Sequence, residues 1–158
     1  MVNVKEMAEV YRIGLQIGIF SKADIINWAD QTIEKLDYPS NEIIEVSLSS
    51  NDKLVDIASK LKNIKGRYDK KLPLKIILGL LWEKFIVCEE NVLEIKFFIS
   101  SLVQYDCCEE LDDVHTKLYN FNEEIYLATE NIYGNLENIS QEIKEFLSIY
   151  KDFSKCFR

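Results

Sequence analysis

Glycine and proline are scarce in this 158-residue chain, at 5 and 2 copies. An all-β sandwich needs turn signals about every 8–12 residues, and this sequence cannot supply them. No apolar run approaches the roughly 20 residues of a membrane span; the longest, Ile76 to Trp82, falls far short. The start of the chain, Met1 to Glu9, carries charges and no apolar signal-peptide segment. A cytoplasmic location is therefore expected, with no membrane role.

Catalytic motifs are missing as well. There is no Gly-rich phosphate loop, no G-x-S-x-G elbow and no H-E-x-x-H pair. His115 is the single histidine. Cys107 and Cys108 precede it by seven or eight residues, about 10–12 Å along a helix, too far for a nucleophile and its base. Asp112 and His115 form one D-x-x-H, where a di-iron bundle needs two such elements. The four cysteines, Cys88, Cys107, Cys108 and Cys156, show no C-x-x-C spacing. They read as free thiols of a reducing compartment, and neither a metal nor a cofactor is expected. The chain is not expected to be an enzyme.

What is present is apolar residues at helical spacing. Hydrophobic residues make up 47% of the chain, enough for a core. A first helix is predicted from Asn3 to about Gly18, with Gly14 marking close packing against another helix. A second starts at the Ser21 cap, with Asp24 three residues on, and stops near Asp37 before Pro39. Ser40 caps a third, Asn41 to Leu48, with Ile43, Ile44 and Leu48 inward. A fourth follows the start signals at 49–52 and carries Leu54, Val55, Ile57, Ala58 and Leu61 on its apolar side. Residues 60–75 hold Lys60, Lys62, Lys65, Arg67, Lys70, Lys71 and Lys75 against Asp69 alone, and Gly66 makes the middle a loop. The fifth helix, Leu74 to about Glu90 with Pro73 in its first turn, is apolar on nearly all sides and should be the buried central one. A sixth carries Val92, Leu93, Ile95, Phe98, Ile99, Leu102 and Val103.

The last third is the most regular. Leu111, Val114, Leu118, Phe121, Ile125, Ala128 and Ile132 recur at spacings of three and four, and Leu136, Ile139, Ile143, Phe146, Tyr150, Phe153 and Phe157 continue the register. Gly134-Asn135 interrupts it. Two long helices with a short break fit this pattern, and one continuous helix is the alternative. The fold expected is all-α: a single-domain bundle over 1–158, with about seven or eight helices, a buried central helix and a long C-terminal helical pair.

Charge is unevenly spread. Residues 1–79 hold 12 Lys and Arg against 11 Asp and Glu; residues 80–158 hold 7 against 16. Essentially the whole net charge of −8 therefore belongs to the second half, which opposes binding to nucleic acid. Asp106, Glu109, Glu110, Asp112 and Asp113 crowd into eight residues, and Glu123, Glu124 and Glu130 follow on the same long helix. Tyr119, Tyr126 and Tyr133 repeat every seven residues beside the seam. These residues are either a solvated shoulder of the core or a docking surface for a basic protein partner. In the second case Asp106, Glu109, Glu110, Asp112, Asp113, Tyr119, Glu123, Glu124, Tyr126 and Glu130 are the contact residues.

The segment Trp28-Ala29-Asp30, Ile33, Pro39 and Glu42-Ile43-Ile44-Glu45-Val46-Ser47-Leu48 resembles an early segment of small helical bacterial proteins. Some of those look like immunity proteins of polymorphic toxin or contact-dependent inhibition systems. The likeness covers about residues 14–65. It implies a small cytoplasmic inhibitor that neutralises one cognate toxin domain, and it transfers no functional residues. Trp28, Ile33 and Leu48 read as core positions and Asp30 as a structural hydrogen-bond partner. The expected function is a non-enzymatic protein-binding inhibitor, a monomer or weak homodimer. The alternative is a structural or regulatory helical adaptor, dimeric through the 111–157 seam.

Overall fold

A computed structural model describes residues 2–86, 92–104 and 111–157. Among them all regular structure is helical: α1 (Val4–Ile17), α2 (Lys22–Lys35), α3 (Asn41–Ser47), α4 (Leu54–Asn63), α5 (Leu72–Ile86), α6 (Val92–Gln104), α7 (Asp112–Thr129), α8 (Leu136–Ser148) and a closing 3₁₀ helix, Lys151–Phe157. The all-α expectation holds. None of these helices is long and apolar enough to cross a membrane. The chain divides into two compact units, Met1–Pro73 and Leu74–Arg158.

In the first unit the helix starts are set by side chains. Asn3 and Glu6 form a reciprocal capping box on α1, and Ser21 and Asp24 form one on α2. Ser40 caps α3 by accepting from the Ile43 amide. Each cap satisfies amides that have no partner inside the helix. α1 ends at Gly18, whose φ of 88° is the left-handed conformation that glycine adopts without strain. α2 packs on α3, and α1 and α3 both pack on α4. The core holds Ala8, Leu15, Ile25, Trp28, Ile43, Val46, Ile57 and Leu61. Tyr11 stacks on Trp28 with ring centroids 4.8 Å apart. Burial, with the nearby charge of Asp24 adding to it, pushes the Tyr11 hydroxyl up to about 12.

Several expectations for this unit need correction. Leu48 is 75% exposed, because Val46 takes the inward position three residues after Ile43 on the short α3. Leu54 and Val55 are also exposed, since the inward stripe of α4 is Ile57, Ala58 and Leu61. α4 starts at Lys53 without a side-chain cap; Asp52 instead meets the Lys60 ammonium at 2.5 Å. At Gly14 the nearest neighbour is the Phe20 ring, which would collide with a Cβ there. Asp30 does act as a structural partner: it accepts a hydrogen bond from Ser47 and so ties α2 to α3.

In the second unit α5 buries Leu74, Ile76, Ile77, Leu78, Leu81 and Phe85, as its nearly all-round apolar surface requires. Ile86 at its end is exposed. Cys88 lies outside the described residues. α6 buries Val92, Ile95, Ile99 and Leu102, whereas Leu93 is turned outward. α6 packs on α7 and α8, and α7 packs on α8. The helical pair is therefore two helices with a break. α7 ends at Thr129, Asn131 takes a left-handed φ of 56° and Gly134 one of 86°. Asn135 then caps α8 by accepting from the Glu137 and Asn138 amides. Val114, Leu118, Phe121, Ile125, Ala128, Ile139 and Ile143 are buried inside the chain, which spends the seam on the protein's own core. The register fails at the break, where Ile132 is 64% exposed. It fails again after α8, because the 3₁₀ helix has a different period and buries Ser154.

Candidate docking face on α7 and α8

α7 is amphipathic, and its two faces come from the seam. With Val114, Leu118, Phe121, Ile125 and Ala128 inward, the opposite side must carry Tyr119, Glu123, Tyr126 and Glu130. At about 100° per residue these four fall within about 60° of one another. All four are exposed, both tyrosines by about half their surface. The structure thus brings four of the predicted contact residues onto one outward strip.

It does not bring the whole set together. Asp113 and Glu124 occupy a different flank of α7. Asp113 faces Tyr150, whose hydroxyl is raised first by burial and then by this carboxylate. Glu124 is half-buried beside Glu142 of α8, and both line a cleft of about 520 Å³. Tyr133, Gly134, Asn135, Asn138 and Ile139 complete the lining. Burial and the Glu142 carboxylate hold the Glu124 carboxyl above the ordinary glutamate range, and Lys117 pulls it back. Tyr133 leaves the tyrosine repeat because α7 has already ended; it sits 79% exposed on the turn. Asp112 opens α7. Asp106, Glu109 and Glu110, with Cys107 and Cys108, lie outside the described residues.

The field over this region is negative. Residues 112–149 contain eight carboxylates and two lysines. Lys117 lies over the Phe121 ring at 5.3 Å and Lys144 over the Phe85 ring at 5.3 Å. Beneath the strip an aromatic series runs from Phe121 through Phe146 to Tyr150, with both spacings 5.7 Å. A rigid inner face and an outer face of two tyrosines between carboxylates is an arrangement that can anchor a protein. Among the described residues no group of three His, Cys, Asp or Glu side chains is placed to hold a metal ion. His115 is half-buried on α7 and Cys156 is exposed.

Two features escaped the sequence reading. Glu142 faces Glu124 only because the chain reverses at 130–135, and nothing in their spacing of 18 residues signals it. Lys5, Glu6 and Glu9 are buried to 8%, 8% and 4% exposure, although their pattern is that of an ordinary solvated helix face. Comparison with protein-family models, curated proteins and solved structures finds no match to this chain.

Proposed function

We propose that this chain is a non-enzymatic protein-binding inhibitor: a cytoplasmic immunity protein that covers a basic surface of a cognate bacterial toxin. The observation that carries this reading is the outward strip Tyr119, Glu123, Tyr126 and Glu130 on a helix whose other face is locked into the core. Aromatic anchors resist the entropy loss of docking, and flanking carboxylates speed encounter with a cationic partner. The resemblance over residues 14–65 supports the same reading. Inhibition under it is steric and electrostatic, without turnover.

Co-expression with a toxin encoded by a neighbouring gene tests the proposal. A stable complex and rescue of growth are expected. Tyr119→Ala with Tyr126→Ala should weaken the complex by about 2 kcal/mol or more, the size of a binding hot spot. No complex and no protection would sink the reading.

A further inference from the structure

The basic stretch of the first unit is held in place from beneath. The chain between α4 and α5 carries Lys65, Arg67, Lys70 and Lys71 against Asp69, and Lys62 lies in the last turn of α4. Its backbone is fastened by the side chains of α1. The Lys5 ammonium donates to the Lys62 carbonyl at 2.8 Å. The Asn3 amide donates to the Arg67 carbonyl at 2.9 Å. Glu6 accepts from the Asp69 amide at 3.2 Å. Lys5 also lies over the Tyr68 ring at 5.4 Å, and Gly66 passes so close that a Cβ there would come within 2.9 Å of the Lys5 Cβ. The Gly66 φ of 152° is the second reason for glycine at that point.

Two of these three ties, Lys5 and Glu6, are charged and buried, whereas Asn3 is neutral and exposed. Lys5 pairs with Glu9 at 2.6 Å, and Arg12 meets the other Glu9 oxygen at 2.7 Å. Burying such groups is costly and is tolerated only where they are paired and hydrogen-bonded. The three hydrogen bonds above go to the loop's backbone. The loop's cations face the other way: Lys62, Lys65, Arg67 and Lys71 are exposed, and the Lys65 side chain is 89% accessible. Its one weak ion pair, to Glu42 at 3.8 Å, is of the kind that contributes little.

From this we infer that residues 62–71 are a preformed docking surface for an acidic protein segment. A loop already ordered avoids the entropy cost that a flexible basic tail incurs on binding. Charge complementarity sets the sign of the partner. One face of Tyr68, the loop's aromatic residue, lies under Lys5 and so is not open to base stacking. The net charge of −8 opposes a phosphate polymer more strongly than a short acidic segment, whose few charges are screened within about 10 Å at moderate salt. This surface shares no residue with the α7 strip and does not depend on that strip being used.

The test is anisotropy of a fluorescein-labelled poly-glutamate peptide with the full-length protein, beside a labelled single-stranded oligonucleotide and anionic vesicles. Saturable binding of the peptide that weakens with salt is expected. Combined Lys65→Glu, Arg67→Glu and Lys71→Glu should reduce it by about tenfold or more, because rim charges are inverted. These side chains are exposed, so circular dichroism should report an unchanged fold. Tyr119→Ala and Tyr126→Ala should leave peptide binding as it was. No peptide binding, binding indifferent to the three reversals, tighter binding of the oligonucleotide or vesicles, or loss of peptide binding in the α7 variants would each overturn the inference.

Discussion

Ser154 donates its hydroxyl hydrogen to Glu83 at 2.7 Å, across 71 residues of sequence. The bond joins the closing 3₁₀ helix to α5, and Gly79 lets the two backbones approach. A Cβ on Gly79 would stand 2.6 Å from the Tyr150 carbonyl and 2.8 Å from the Ser154 amide. Gly79→Ala should therefore destabilise the protein by about 1–3 kcal/mol through overpacking, although alanine is the better helix former by about 1 kcal/mol. Urea unfolding followed by circular dichroism measures it. A more stable variant would contradict the close approach.

The buried charges of α1 act as a group. Glu9→Ala leaves Lys5 and Arg12 without the carboxylate that both contact, and a loss of about 3–5 kcal/mol is expected. Lys5→Met combined with Glu9→Met should cost clearly less than the two single changes added together. A double-mutant cycle in denaturant decides the matter; additive losses would mean that the pair is not coupled.

Glu124 makes stability depend on pH. Its carboxyl is raised in the folded protein by burial and by Glu142, so the folded state holds this proton more tightly than the unfolded chain. The resulting stabilisation is present at acid pH and is lost as pH rises from the ordinary 4.5 through the raised value. Glu124→Gln should remove that dependence and melt higher than the wild type near neutral pH. Thermal melts of both proteins across this range give the difference. Parallel curves would show that Glu124 titrates normally.

The two faces of α7 should respond differently to truncation. Leu118 is fully buried, and Leu118→Ala should cost about 2–5 kcal/mol. Tyr126→Ala on the outer strip should change stability by no more than about 0.5 kcal/mol. Chemical denaturation of both variants checks the assignment. A large loss at Tyr126 would place that ring in the core and remove it from the docking face.

Local signals in the sequence decide most of the secondary structure. Ser21, Asp24, Ser40, Pro39 and Gly18 state where helices begin and end, because caps and backbone limits act over three or four residues. The seam from Val114 to Ile143 states which side of α7 and α8 is inward, and the strip Tyr119, Glu123, Tyr126 and Glu130 follows as its opposite. Scarce glycine and proline argue against an all-β sandwich, and apolar residues at helical spacing point to the all-helical class.

Only the tertiary structure decided which apolar residues are surplus. Leu48, Leu54 and Val55 fit an apolar stripe as well as Val46 and Ile57 do, but each short helix presents one narrow face to its neighbours. It also decided that Lys5, Glu6 and Glu9 are interior, since whether a charge is buried depends on the loop laid over it. Glu124 meets Glu142, and Ser154 meets Glu83, through chain reversals that bring distant residues within hydrogen-bonding reach. Helical periodicity is a property of neighbours in sequence; contact between elements is a property of the folded chain, and no local pattern encodes it.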